Sequence, residues 1–350
     1  MASAAISADA PYQTLLDQAR EQQDIPGISA VVTRGDTIIF SGASGVADLS
    51  TGRPMTADTV LYCGSLSKVF TATLALQLIE QGDMSLESRA AGLIDARIAR
   101  QDEITVEHLI THASGLQREG DFGYWFSGDF PTATELRSYL EDTSIRARPG
   151  KKQHYSNVGY ATLGLVIEAA TNEPYGDALM SRILQPLGMA STTTGGPVNG
   201  VSRGYTPIGR LLPSDQRPFA GVGEPVDGRF IREYHDANAM TPAFGIQSTA
   251  LDLSLLTRFL LGHGNTMVLT LDVRKAMRTR QFGGRGYGLR IDVINGARVA
   301  RHGGWFAAHQ SHLLIDAEND ISIVVMTNSD SAAPDAIVEQ LHQLTMGETR

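Results

Sequence analysis

The chain has a single cysteine among 350 residues, Cys63. One thiol cannot form an intrachain disulfide or build a cysteine-ligated zinc or iron–sulfur site. A basic excess is also missing: 29 Lys and Arg stand against 38 Asp and Glu, a formal net charge of −9. Binding along a phosphate backbone needs a basic face, so nucleic acid is not an expected partner. No stretch approaches the ~20 apolar residues of a membrane span. Even the apolar run Leu74–Ile79 is interrupted by Gln77. Met1–Asp9 has neither the basic region nor the apolar core of a secretory leader. The expectation is a cytoplasmic protein, or a periplasmic or secreted one if a leader was removed. Internal repeats, charge runs and low-complexity linkers are absent too, and nothing in the sequence fixes an oligomeric state.

What is present suits a folded enzyme. Hydrophobic residues make up 42%, enough for a sizeable core, and 36 glycines promise many tight turns. Residues 11–24 have helical spacing, with Pro26-Gly27 after the end. Ile28–Thr33 and Thr37–Phe40 read as strands joined by a Gly35-Asp36 turn. Apolar groups at Leu66, Val69, Phe70, Leu74 and Leu78 predict a helix over 66–81, stopped by Gly82. Helical segments and loops follow to about 260, least regular over 191–235. Strands return at Gly286–Ile294 and Ala297–Arg301 around an Asn295-Gly296 turn, then at Ser311–Ile315 and Ile321–Asn328. A helix closes the chain over Ala333–Met346.

β segments at both ends and helices between them imply an α+β fold. The economical arrangement is one antiparallel sheet built from both chain ends and flanked by helices. Residues 1–60 and 241–350 would form this discontinuous sheet domain, and 61–240 a mainly helical inserted domain. The chemistry is expected in the groove between them.

Three motifs carry candidate chemistry. In Gly64-Ser65-Leu66-Ser67-Lys68, the serine falls at a predicted helix start and the lysine three residues on, on the same helix face. A serine hydroxyl needs a base, and a lysine is one only if burial and the helix's positive end depress its pKa. In Tyr155-Ser156-Asn157, the phenol suits a proton shuttle and the amide a donor to a substrate carbonyl. In His302-Gly303-Gly304-Trp305, the glycines allow close backbone approach, and the Trp305 N–H pairs naturally with that of Ser65 to hold an oxyanion. Each alone also reads blandly, as a capped helix with a surface lysine, a turn tyrosine, or a glycine-rich turn.

Together, in this order, the motifs resemble the serine β-lactamase and penicillin-binding superfamily. The branch resembled is that of class C β-lactamases, D-alanyl-D-alanine carboxypeptidases, D-aminopeptidases and β-lactamase-like esterases, whose second motif is Tyr-x-Asn. Thr105–Leu116, Pro149-Gly150 and Pro186-Leu187-Gly188-Met189 are similar to that branch as well, so the likeness extends over about residues 12–345. It implies a Ser65 acyl-enzyme. Lys68 and Tyr155 would share the general-base role, in an order the sequence leaves open. Asn157 would orient the acyl chain, and the N–H groups of Ser65 and Trp305 would form the oxyanion hole. Neither a metal nor an organic cofactor is implied.

The third motif departs from the family's Lys-Thr-Gly: His302 stands for the lysine and Gly303 for the threonine. Both changes weaken capture of a substrate carboxylate, because a histidine of ordinary pKa is mostly neutral at pH 7. The expected substrates are therefore small esters or amides, D-amino-acid peptides included. A β-lactamase or D,D-carboxypeptidase is the alternative. A transacylase, or an acyl-binding sensor without turnover, is the more distant one. Arg301 and Arg290 are considered as replacement cations, but alternation turns Arg301 away from the face of His302.

Other residues have two readings. His108 and His112 imitate a zinc pair at i, i+4, with a structural role expected instead. His309 and His312 fall at a strand entrance with no third ligand nearby, and they are not assigned to the site. Phe122-Gly123-Tyr124-Trp125-Phe126 forms either a pocket wall or lid, or packing in an interdomain seam. Cys63 reads as a small core residue. Gly283-Gly284-Arg285-Gly286 precedes a strand, which argues against a phosphate loop.

Overall fold

The computed structural model describes residues 9–98, 103–120, 123–124, 128–195, 200–208, 226–232 and 236–347. Its centre is a seven-stranded antiparallel sheet. The strands are β1 (Gly27–Arg34), β2 (Thr37–Asp48), β3 (Arg53–Pro54), β4 (Arg290–Ile294), β5 (Ala297–Phe306), β6 (His309–Asp316) and β7 (Ile321–Thr327). Their order is β3-β2-β1-β7-β6-β5-β4, so the two chain ends meet where β1 pairs with β7. Both of these central strands are rich in Val and Ile and buried along almost their whole length, as strands covered on both faces should be.

Five helices frame the sheet: α1 (Ala10–Gln22), α2 (Ser67–Gln81), α3 (Asn157–Thr171), α4 (Ala250–Leu261) and α5 (Pro334–Gly347). Terminal helices α1 and α5 cover one face, where Tyr12, Leu16 and Leu341 pack with Ile323 and Val325. On the other face α4 and α2 join a larger core that includes Leu256, Phe70, Val324 and Leu313. Helix α2 is buried from Ser67 to Leu78 and ends at Gly82, whose φ of 86° continues no helix. Among the described residues no helix is long and apolar enough to cross a membrane.

Three boundaries differ from the sequence reading. Strand β2 continues to Asp48, past the expected end at Phe40. Strand β4 starts at Arg290 rather than Gly286, because the Gly286 N–H turns back to the Leu289 carbonyl and Gly288 has φ +75°. Strand β5 runs on to Phe306, so the His302-Gly303-Gly304-Trp305 motif lies inside a strand instead of after one. Much of 191–235 falls outside the described residues.

Candidate active site

Ser65 lies in a 3₁₀ turn, Gly64–Leu66, that leads directly into α2. Glycine is needed at 64: its φ is +53°, and a Cβ there would lie 2.3 Å from the Trp305 amide nitrogen. Gly304 answers from the other side, since its Cβ would stand 1.9 Å from the Cys63 carbonyl oxygen. Ser311 Oγ donates to that same carbonyl at 2.7 Å. The turn and β5 therefore meet backbone to backbone, with the Trp305 amide beside the turn that carries Ser65.

One helical turn on, Lys68 is completely buried. Its Nζ is 3.2 Å from Ser65 Oγ, 2.7 Å from Asn157 Oδ1 and 2.7 Å from the Ala243 carbonyl oxygen. Among the described residues no carboxylate hydrogen-bonds to it. Burial, opposed by Glu119 and aided by Arg285 and Arg118, holds the amine well below its usual value. Tyr155 stacks beneath, with Nζ 4.7 Å above its ring, and its hydroxyl is hydrogen-bonded to the Ser65 side chain. Burial pushes this phenol up to about 12, against the lowering pull of the Ser65 hydrogen bond and of Arg285 and Arg118.

Helix α3 sets the second motif. Ser156 caps it by accepting the Gly159 N–H at 2.8 Å, and its own N–H donates to His112 Nδ1 at 3.1 Å. Asn157 opens the helix, and its amide is fully committed in direction. Oδ1 accepts from Lys68, and Nδ2 donates to both Glu119 oxygens at 2.9 and 2.8 Å. A donor expected to face a substrate carbonyl thus already faces a carboxylate.

The third motif supplies a wall of the cleft. His302 is buried, with its Nδ1 2.7 Å from the Gly303 carbonyl oxygen. Burial, then Arg285 and Lys68, keeps its imidazole well below the usual range, so it carries no charge at neutral pH. Strand β4 pairs with β5 only as far as Arg290 opposite Arg301. Residues 302–304 consequently carry β5 past the end of β4 and along the cleft. A cavity of about 500 Å³ opens here, lined by Ser65, Tyr155, Arg285, His302, Gly303 and Trp305 among others.

All eight candidate residues thus border or support one cleft, and four neighbours join them that the sequence reading did not assign there. Arg285 has its guanidinium 5.3 Å over the Tyr155 ring, and Arg118 is at 5.5 Å. Glu119 anchors Asn157. His112 packs its ring 4.4 Å from that of Tyr155. The available signals were Gly283-Gly284-Arg285-Gly286, weighed only as a phosphate loop, and His112, weighed as half of a zinc-like pair within the Thr105–Leu116 likeness.

The remaining residues fall as follows. The helix carrying His108 is Val106–Ile110, so His112 lies beyond it at φ +61° and the two rings share no helix face. His108 Nδ1 accepts the Thr105 N–H in a capping box. Cys63 is buried and burial raises its thiol, which suits a core residue. His309 is buried, with Nε2 3.2 Å from the Ser202 carbonyl oxygen. Tyr124 is buried against Phe130 and donates to the Glu119 carbonyl at 2.6 Å, as seam packing would; Phe122, Trp125 and Phe126 lie outside the described residues. Arg301 points away from His302 and pairs with Asp292 at 2.6 Å and Glu339 at 3.1 Å. Arg290 shares Asp292 at 2.8 Å.

Comparison with known proteins places this arrangement. The chain belongs to the beta-lactamase family, whose sequence profile matches residues 13–345. It is 33% identical over 192 residues to penicillin-binding protein 4 of Amycolatopsis lactamdurans, covering 53% of this chain and 49% of that protein. It is 31% identical over 207 residues to esterase EstB of Burkholderia gladioli, covering 53% and 51%. The chain thus spans about half the length of the curated relatives it matches. Among solved structures, D-amino acid amidase from Ochrobactrum anthropi SV3 superposes with a TM-score of 0.84 at 24% identity, over 98% of this chain and 99% of that one. A penicillin-binding protein homologue from Pyrococcus abyssi gives 0.81 at 23%, over 96% and 77%. At such identities the likeness is one of fold.

Proposed function

We propose that the protein is a serine acyl hydrolase that acts through a Ser65 acyl-enzyme on small carboxylic esters or amides. The observation that carries this reading is the set of contacts at Lys68 Nζ. An ammonium has three donors and no acceptor, whereas a neutral amine has two donors and one lone pair. Two of the three neighbours, Asn157 Oδ1 and the Ala243 carbonyl, can only accept. The third, the Ser65 hydroxyl, can donate. These contacts accept an ammonium or a neutral amine; burial without a carboxylate contact among the described residues favours the neutral form, whose lone pair can take the nucleophile's proton.

The order of proton transfers follows from this reading. Burial lowers the Lys68 amine and raises the Tyr155 phenol to about 12, which makes Lys68 the readier base of the two. Lys68 therefore takes the Ser65 proton as Oγ bonds to the substrate carbonyl carbon. The Ser65 and Trp305 N–H groups stabilise the oxyanion. Tyr155 gives its proton to the leaving group and is restored from Lys68, and the same pair activates water for deacylation. Residues 302–304, which continue β5 past the end of β4 and line the cleft, suit an extended substrate lying alongside. Relatives named as esterase and D-amino acid amidase agree with this substrate range.

One observation favours a second reading, a β-lactamase or D,D-carboxypeptidase. Arg285 forms no ion pair among the described residues and lines the cleft beside His302 and Tyr155. It offers a carboxylate the charge that the third motif lacks. Rates at pH 7–8 on p-nitrophenyl butyrate, D-alanine p-nitroanilide and nitrocefin, with Ser65→Ala as blank, separate the two. Dominant Ser65-dependent ester turnover supports the first reading. Dominant nitrocefin turnover supports the second, and no Ser65-dependent turnover defeats both.

A further inference from the structure

Successive residues of β5 face opposite sides of the sheet. Gly304 faces the Ser65 turn, so Gly303 faces the side of α5, where it lies in register with His312 on β6. A Cβ at 303 would lie 3.1 Å from His312 Nδ1. With only hydrogen there, the cleft continues past the edge strand into a side compartment over His312, bounded by Trp305, Gln310, Pro334 and Asp335. His312 is 8% exposed; its Nε2 is sealed off without a hydrogen-bond partner, and Nδ1, the atom beside the gap, has none either among the described residues. Folds seldom keep such an atom unanswered unless something else meets it.

No protein group nearby turns toward it. Gln310 Nε2 donates to the Ser329 and Ala332 carbonyls, Ser311 to Cys63, and Trp305 Nε1 to Asp330. Beside the compartment Asp292 takes both Arg301 and Arg290, Glu339 takes Arg301 again, and Asp335 adds an exposed carboxylate at the start of α5, so this side carries one negative charge in excess. Burial, then Arg301, lowers the imidazole to about 4, so it is uncharged at neutral pH. An uncharged hydrogen-bonding ring beside paired arginines and an extra carboxylate suits an uncharged polar ligand better than an anion.

We propose that His312 is a specificity-determining residue: through the gap at Gly303 it hydrogen-bonds a carboxamide or peptide amide of the substrate close to the scissile carbonyl. This rests on Ser65 being the nucleophile. The amide belongs to either arm of the substrate, and two matched series cover both. One consists of butyrate esters of 3-hydroxybenzamide, 3-hydroxybenzoic acid and 3-isopropylphenol. The other consists of p-nitrophenyl esters of glutaramic, glutaric and 5-methylhexanoic acid.

The quantity read is kcat/KM for the carboxamide over that for its isopropyl counterpart. In one series the wild type should favour the carboxamide by about fivefold to tenfold, the worth of one hydrogen bond, expressed mainly in KM. His312→Leu should bring that ratio to about one, His312→Gln should restore part of it, and Gly303→Ala should lower it by closing the gap. Gly303→Ala carries the test if His312→Leu does not fold. The proposal is overturned by a wild-type ratio near one in both series, by a ratio that survives His312→Leu and Gly303→Ala, or by carboxylates outpacing carboxamides. Absent Ser65-dependent hydrolysis of the isopropyl esters is a different failure, that of the acyl-hydrolase reading itself.

Discussion

Two groups of ionisable side chains are buried in this fold, on opposite faces of the sheet, and they are built on opposite principles. Asp316 and His342 are both fully buried and meet at 2.9 Å. Asn319 donates to Asp316 through its side chain at 2.7 Å, and Asn295 donates to His342 Nδ1 at 3.2 Å. Every charge and lone pair there has an answer. Lys68 is equally buried, yet its neighbours are an amide oxygen, a backbone carbonyl and a serine hydroxyl. Glu119 reaches it only through Asn157. A balanced pair holds its proton in place and joins two elements, β6 and α5. A buried amine denied a counter-ion becomes a base at neutral pH.

The sharpest way to break this contrast is to remove the base. Ser65→Ala should abolish turnover and melt like the wild type, because a small hydroxyl is lost from a turn held by other contacts. Lys68→Met should lower kcat by roughly 10²–10⁴, and Tyr155→Phe by roughly 10² or more. Stability should move the other way at Lys68. Between its lowered value and 10.5, the unfolded chain binds the proton that the folded chain refuses, so this residue's penalty shrinks as pH rises. Lys68→Met should therefore melt no lower than wild type at pH 7, and the difference should close toward pH 10. A clear loss of melting temperature would mean that Lys68 is charged and paired. Wild-type kcat/KM should already be on its plateau well below pH 10.5, with Tyr155 able to end it only near pH 12.

The balanced pair should behave in reverse. Burial alone would raise Asp316, but the His342 and Asn319 hydrogen bonds outweigh it and hold the carboxyl below its usual range. Its stabilisation is thus present above the unfolded value and lost as pH falls through the folded one. Asp316→Asn should cost about 3 kcal/mol at pH 7, as breaking a buried pair does, and the gap to wild type should close below about pH 4. At temperatures where the variant is folded, its turnover should match wild type. A fall in turnover larger than the folded fraction explains would tie the two groups together.

How much of this was legible beforehand follows from the same contrast. The Ser65–Lys68 spacing is local, one turn of a helix, and can be read from five residues. The sheet from both chain ends was legible because alternating β-branched runs and the Gly35-Asp36 and Asn295-Gly296 turns are local too. Strand β5 was cut short at Arg301 because His302-Gly303-Gly304 has poor strand propensity, and it is carried through by packing on the Ser65 turn, a long-range contact. Arg285, Glu119 and His112 reach the site from three loops, and no periodicity marks a residue whose neighbour lies tens of positions away. Asp316 and His342 passed unnoticed for the same reason.

The smallest effect tests the border between the two principles, at His302. It is buried like Lys68, and burial and Arg285 lower both groups. His302→Lys would put the family's usual side chain there, and a fixed charge would draw carboxylate-bearing substrates. The surroundings limit that gain, because the same desolvation and the same Arg285 depress any amine placed at 302. The partly formed charge should raise the ratio of nitrocefin to p-nitrophenyl butyrate kcat/KM by roughly threefold, the worth of a weak ion pair. That ratio should grow as pH is lowered from 8 to 6 and more of the new amine is protonated. An unchanged ratio across that range would mean that residue 302 does not border the carboxylate position and that Arg285 alone supplies the cleft's charge.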